Sequence, residues 1–341
     1  MEFKVRVYLA EDVPAVTELG RACHPSEYDS ERLSGRLNWL FQNPFGCHAW
    51  VAEMSGRVVG FMAWLMVQIA VMNRMVLASM GIDLMVLPEY RRKGIAAELI
   101  TTGRTSLISK GARLGFGFTN QVSLELDKKL GGTLIAPLAR YYLPVTFRAL
   151  ILHTFLKFGS SLSDVRRRSE RLSSQSSTDL SLESCEPTKS NLELLSTAMN
   201  CLGNVRVTRD SNYLHWLFSR QQKLPPRLLL AKKEGKIVGY AAYSVGHRTP
   251  LFRVGELLDI AAEKSSTAQR ILNALCLQSS SVDFWSVSTL QGGALAEILG
   301  TMGFSSWSHD GGLICKIWKD DADSATVMDA SNWHLTQFDI L

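Results

Sequence analysis

Three basic residues and a glycine, Arg91-Arg92-Lys93-Gly94, come directly after an apolar run from Met80 to Leu87 and the turn Pro88-Glu89-Tyr90. Beyond them Ile95, Leu99, Gly103 and Leu107 fall four apart, which is one face of a helix, so the order is strand, short basic glycine loop, helix. The first turn of a helix leaves backbone N–H groups unpaired and carries the positive end of the macrodipole. A phosphate or pyrophosphate is the chemistry such a loop suits. Gly94 permits close backbone approach to a ligand, and the small Ala96 keeps the first turn uncrowded.

Asp83 is the second chemical candidate, because it interrupts the apolar strand ahead of the loop. A carboxylate buried there is costly unless it is paired or used, which makes it the leading candidate for a general base. On an ideal strand it points away from Val86, three residues on, and a bulge could re-aim it. The competing reading is structural, an aspartate bonded to nearby backbone. Glu53, Glu125 and His48 are lesser candidates for the same role, and His48 reads better as a strand-edge histidine.

The elements that position these residues occur twice. Ala52 to Trp64 reads AEMSGRVVGFMAW and Ala231 to Tyr243 reads AKKEGKIVGYAAY, and each glycine turn between apolar runs signals a hairpin. Upstream, Leu37-Asn38-Trp39-Leu40-Phe41 is echoed by Leu214-His215-Trp216-Leu217-Phe218. Downstream, Lys129-Leu130-Gly131-Gly132 is echoed by Thr301-Met302-Gly303-Phe304. The expected fold is mixed α/β, two tandem units that each hold a central mixed sheet flanked by helices. The expected division is 1–135, a helical segment and Ser-rich linker over 136–195, a second unit over 196–320 and a tail over 321–341. The second unit has no basic glycine loop: Gly255 to Ser266 reads GELLDIAAEKSS, with acidic Glu263 where an anion would arrive. Only the first unit is expected to bind an anionic ligand, leaving the second to shape the acceptor cleft or stabilise the pair.

Gly159 to Ser190 is dominated by Ser and charged residues and reads as a linker, with a short Arg-rich turn over Val165 to Leu172. Phe61 to Ala78 reads as two buried strands joined near Asn73, since Gln68, Asn73 and Arg74 break an otherwise membrane-like run. Leu134 to Phe158 carries Pro137, Arg140, Pro144, Arg148, His153 and Lys157, which argues against a membrane span. It reads as a helix lying on the protein's own surface or on a membrane.

With 37 Lys+Arg against 32 Asp+Glu in 341 residues, the chain lacks the concentrated basic blocks that make nucleic acid a default partner. Six scattered cysteines with no CxxC pair fit reduced thiols and no metal site. The N-terminus shows no basic stretch followed by an apolar core and cleavage site, so the expected location is the cytoplasm.

The loop Arg91-x-x-Gly94-x-Ala96, with Val86-x-Pro88 before it and the strand Gly115-Phe116-Gly117-Phe118-Thr119-Asn120 after the helix, resembles the acyl-CoA signature of the GCN5-related N-acetyltransferase (GNAT) family. The likeness covers roughly Val5 to Leu134. It implies that Arg91, Arg92, Lys93, Gly94, Ile95 and Ala96 receive the CoA pyrophosphate, that the strand edge at Met85 and Val86 pairs with the pantetheine amides, and that Asn120 joins the same site. Acetyl-CoA is the implied co-substrate, without a metal, and a small-molecule acceptor attacks the thioester directly. Family members often carry a tyrosine four residues before the closing glycine, where it protonates the leaving thiolate. Asp127 stands at that place here, so the acid is unassigned, and Tyr90, Tyr141 and Tyr142 are candidates by type only.

A narrower likeness, which adds Asn212-Tyr213-Leu214-x-Trp216, is to tandem acetyltransferase-like proteins of bacterial polysaccharide gene clusters and implies an amino sugar or surface-polymer precursor as acceptor. Two other readings compete. One is a non-catalytic CoA-binding or scaffold protein. The other is a Fem-like aminoacyl-tRNA-dependent transferase, a class that generally dispenses with the CoA loop.

Overall fold

The computed structural model describes residues 2–25, 30–146, 149, 180–196, 202–220, 224–247, 250–278, 282–319 and 323–340. Two compact units emerge, each discontinuous in sequence. The first comprises Met1–Ile135, Ser219–Gln221 and Gly311–Met328; the second comprises Ala136–Phe218, Gln222–Asp310 and Asp329–Leu341.

The first unit runs β1 (Lys4–Val7), α1 (Val13–Cys23), α2 (Ser30–Phe41), β2 (Cys47–Met54), β3 (Arg57–Val71), β4 (Arg74–Val86), α3 (Ile95–Ser109), β5 (Leu114–Asn120) and α4 (Gln121–Lys129). Its strands lie in that order, and residues 311–317 add a last antiparallel strand beside β5. Among the described strands of this unit only β4 and β5 pair in parallel. The β2–β3 turn places Ser55 and Gly56 at φ 52° and 77°, the two left-handed residues of a tight hairpin. The β3–β4 hairpin confirms two strands within Phe61 to Ala78, with Met72 left-handed at φ 52° in the turn.

Both faces of this sheet are covered, which is why β3 reads as an unbroken apolar run instead of alternating. On one face α3 seats Ile95 and Leu99 against Gly60. Opposite, α1 brings Gly20 against Leu33 and Met85. Leu19, Leu33, Leu37, Phe61, Leu65, Met80 and Leu99 are all buried there.

The second unit takes residues 136–144 of β6 (Thr133–Pro144), then β7 (Ser181–Cys185), α5 (Lys189–Ser196), β8 (Val205–Val207), α6 (Ser211–Ser219), β9 (Arg227–Lys233), β10 (Lys236–His247), β11 (Arg253–Ala262), α7 (Ser265–Gln278), β12 (Phe284–Leu290) and α8 (Ala294–Thr301). Its sheet order is β6-β12-β11-β10-β9-β7, parallel at β11–β12, and off this path residues 333–334 pair in parallel with β8. The β9–β10 turn repeats the geometry of the first unit, with Glu234 and Gly235 at φ 50° and 80°.

The helical expectation for Leu134 to Phe158 is overturned over 133–144, which form β6. Ala139, Tyr141 and Leu143 are buried while Arg140 and Tyr142 are half-buried, the two-residue period of a strand. Apart from Val145, Thr146 and Ala149, the rest of that stretch lies outside the described residues, as does Gly159 to Thr178 with its expected Arg-rich turn. The described end of the anticipated linker is ordered: β7 pairs with β9, Leu182 opposite Ala231 and Cys185 opposite Leu228. Among the described residues no helix is long and apolar enough to cross a membrane.

A buried ionic cluster ties the last residues of the chain into the second unit. Arg209 donates to Asp259 through Nε at 3.0 Å and Nη2 at 3.2 Å, and to Asp339 at 2.8 Å. Tyr240 and Thr336 hydroxyls also donate to Asp259, at 2.6 and 2.8 Å. His334, whose imidazole burial pushes toward the neutral form, shares a 2.8 Å hydrogen bond with the Ile260 carbonyl.

Candidate functional site

The basic loop has the backbone the sequence demands of it. Arg92 and Gly94 are left-handed at φ 61° and 83°, and Gly94 is the residue from which α3 starts, its carbonyl accepting from Glu98 N at 3.0 Å. A side chain at Gly94 would meet no atom within 4 Å, so the approach to the helix N-terminus is open. Arg91, Arg92 and Lys93 are exposed around it. Arg91 Nε donates to the Val86 carbonyl at 3.1 Å, and Lys93 Nζ lies 4.8 Å from the Tyr90 ring centre. Ile95 contributes only backbone to this surface, because its side chain is in the core against Gly60.

Below the loop the sheet forks. The parallel β4–β5 pairing runs from Ala78 opposite Leu114 to Gly81 opposite Gly117 and ends there. The β3–β4 register slips at the same level: Phe61 faces Met85 but Ala63 faces Ile82, so Met62 spans two residues, Asp83 and Leu84. Asp83 is left-handed at φ 52°, the geometry of a bulge. A cavity of about 1050 Å³ occupies the fork. Its walls include Met85, Val86, Arg91, Arg92, Ala96 and Asn120 of the anticipated site, and not Lys93, Gly94 or Ile95. Asn120 also accepts from Ser123 N at 3.0 Å, capping α4.

Asp83 is in the cavity wall but already has a partner. Arg36 of α2 grips it from two sides, Nε to Oδ2 at 2.8 Å and Nη2 to Oδ1 at 3.0 Å. The second unit repeats this device: Asp259 also stands beside a strand bulge and is held two-sidedly by Arg209, although that unit has no basic loop. A pair present with and without the loop favours a positional role over proton abstraction. Asp83→Asn is therefore expected to cost about 1–3 kcal/mol of stability in denaturant unfolding, by leaving a guanidinium N–H without its acceptor. A loss of turnover on a real acceptor with stability unchanged would restore it as the base.

The other anticipated bases are elsewhere. Glu53 pairs with Arg6 at 2.9 Å, Glu125 is exposed beside Lys128 at 3.2 Å, and neither they nor His48 line the cavity. Tyr90, Tyr141 and Tyr142 do not line it either. Two thiols do, Cys23 and Cys315; burial holds Cys23 above its ordinary value and pushes Cys315 up to about 12. Neutral thiols are poor nucleophiles. Among the described residues no group of three or more His, Cys, Asp or Glu side chains could hold a metal ion.

Asp127 does line the cavity, and burial raises its carboxyl above the usual range, opposed only by a hydrogen bond from Thr119. Thr119 in turn bonds Ser123 at 2.8 Å. An acid whose folded value is raised destabilises the fold once ionised, so its penalty is absent in strong acid and grows as pH rises through the raised value. Asp127→Asn is expected to melt at a higher temperature than the wild type at pH 8 and to lose that advantage at pH 4. The opposite pH trend would show Asp127 to be stabilised as the anion.

The partner of Asp83 was not legible in advance, because Arg36 lies on a helix whose face toward β4 no local spacing announces. Trp64 and Trp318, which also line the cavity, gave no signal of their own beyond aromatic type.

Residues 4–125 match the model of the acetyltransferase (GNAT) domain. No curated protein matches the chain. Among solved structures, a conserved protein of unknown function from Enterococcus faecalis V583, described as a probable N-acyltransferase, superposes with TM-score 0.67 at 14% identity, covering 94% of this chain and 73% of that one. A GCN5-related N-acetyltransferase from Anabaena variabilis ATCC 29413 gives 0.64 at 14% identity, covering 93% and 73%. Saccharomyces cerevisiae N-myristoyltransferase with bound myristoyl-CoA gives 0.56 at 13% identity, covering 94% and 80%. At these identities the likeness is one of fold.

Proposed function

From the premise that residues 4–125 form an acetyltransferase (GNAT) domain, we propose that this chain is an acyl-CoA-dependent acyltransferase with acetyl-CoA as donor. The observation that carries the reading is the left-handed, sterically open Gly94 at the start of α3, set over the forked cavity. The pyrophosphate takes the N–H groups of the loop from Arg91 to Ala96, helped by the charges of Arg92 and Lys93. The pantetheine arm descends beside Met85, Val86 and Asn120. The Val86 carbonyl already accepts from Arg91 and Cys23, so the β4 edge ahead of it offers the amide pairing.

An acceptor amine or hydroxyl attacks the thioester carbonyl directly; the C–S bond breaks, the sulfur leaves as thiolate and takes up a proton, and the acceptor gives one up. The neutral thiols of Cys23 and Cys315 fit a route without a covalent enzyme intermediate. Asp127, whose carboxyl is raised by burial, is the cavity group suited to supply the thiolate's proton where the family's tyrosine is missing. A sugar or surface-polysaccharide precursor is the proposed acceptor. The second unit, where β11 is followed within three residues by α7, is proposed to be a second copy without an anion loop.

Calorimetric titration of acetyl-CoA, with desulfo-CoA and ATP as controls, tests the reading. Saturable binding at about one site per chain supports it; no binding overturns it. The commitment of Asp83 to Arg36 favours one alternative, a non-catalytic CoA-binding protein, which binding without turnover on any amine, amino sugar or hydroxyl acceptor would establish.

A further inference from the structure

The cavity reaches well beyond the loop. Ala96, Ile100 and Arg104, successive positions on one face of α3, all line it, a run of about 12 Å at the helical rise. Its far walls include two indoles, Trp64 on β3 and Trp318 just after the strand 311–317, whose rings meet edge to face with centres 6.2 Å apart. The rings occupy a hollow that glycines keep free. A Cβ at Gly81 of β4 would come within 3.3 Å of the Trp64 ring, one at Gly103 of α3 would lie 2.5 Å from Trp64 Nε1, and one at Gly115 of β5 would overlap the Trp318 ring. Three glycines on three elements thus accommodate one aromatic pair.

Two further facts characterise this wall. The Nε1 atoms of both rings are buried without an acceptor, as is Nε1 of Trp285 in the core of the second unit, each at a cost of about 1–3 kcal/mol. Trp318, unlike Trp64, is only half-buried, so it faces space as well as protein. The same cavity is lined at one end by Arg91, Arg92 and Ala96, so the arm of a thioester anchored by its phosphates at the loop would run toward this wall. Resting on the reading of the loop as the CoA site, we propose that Trp64 and Trp318 form the stop that limits the donor to a short acyl group, such as acetyl or propionyl. Indole rings are rigid, and Trp64 is held between Gly81 of β4 and Gly103 of α3, so the pair yields less readily to a longer chain than a methionine would.

The experiment titrates CoA, acetyl-CoA and octanoyl-CoA into the full chain and into Trp318→Ala and Trp64→Leu, each checked for folding by its thermal melt. A wall that rejects extra methylenes is expected to favour acetyl-CoA over octanoyl-CoA by about tenfold or more in the wild type. Trp318→Ala is expected to shift that ratio at least about tenfold toward octanoyl-CoA, with Trp64→Leu moving it the same way. Equal wild-type affinity for the two thioesters would overturn the proposal, as would an unchanged ratio in a folded variant. Failure of plain CoA to bind the wild type is a separate result: it removes the site reading and this inference with it.

Discussion

Gly94→Asp is expected to reduce CoA affinity on the order of 1000-fold while the protein stays folded. Gly94 sits at φ 83° with no atom within 4 Å of the place a Cβ would take, so the substitution adds left-handed strain but no collision. Aspartate enters that region more readily than most residues, and the strain costs about 1–2 kcal/mol. The new carboxylate falls where the pyrophosphate is proposed to lie. Two unit charges about 4 Å apart near a protein surface repel by about 4 kcal/mol, which is the 1000-fold. Gly94→Ala carries the strain without the charge and is expected to lose far less. Calorimetric titration beside a circular-dichroism melt checks both; unchanged affinity in a folded Gly94→Asp protein would remove the loop from the binding site.

Arg209→Ala is the change expected to harm stability most, by about 3–5 kcal/mol, because it strands two buried carboxylates, Asp259 and Asp339. Burial by itself would raise the Asp259 carboxyl, but the charge of Arg209 and the hydrogen bonds from Arg209, Tyr240 and Thr336 outweigh it and hold it low. A carboxyl lowered in the folded state contributes stability above its unfolded value, and that contribution is lost as pH falls through the folded value. The deficit of Arg209→Ala should therefore be full at neutral pH and narrow as the pH enters the carboxylate range. Denaturant unfolding at pH 7.5 and at about pH 3, below the ordinary carboxylate value, measures it. A deficit independent of pH would mean that lost packing by the arginine, not the stranded charges, is responsible.

These two predictions differ in how much of them the sequence could supply. The loop from Arg91 to Ala96 was legible because every property that matters is local: glycine for a left-handed backbone, an apolar run before it and four-residue spacing after it. Both hairpins were legible for the same reason, Ser55-Gly56 and Glu234-Gly235 each taking the two left-handed conformations that short turns require. The acidic replacement at Asp127 was also visible. Its burial in the cavity, which raises its carboxyl above the ordinary value, was not.

In sequence Leu134 to Pro144 reads as part of a helical stretch, since its prolines and scattered charges mask a two-residue period that becomes decisive only when β12 lies alongside. Ser181 to Cys185 reads as linker for a related reason. A short polar edge strand buries little apolar surface of its own, and its backbone partners on β9 supply the order.

Sequence alone determined the local events, namely where the chain turns, where a helix begins with its N–H groups bare, and which unit carries the basic loop. Tertiary structure alone decided what meets at those places. Residues 311–317 pair with β5, Arg36 holds Asp83, Arg209 gathers Asp259 and Asp339, and Trp318 fills the hollow left by Gly115. Turns and caps are set by the dihedral preferences of a few adjacent residues, whereas a strand's partner or a buried charge's counter-ion is chosen by whichever distant segment best satisfies exposed backbone and unpaired charge, and neighbouring residues hold no record of that choice.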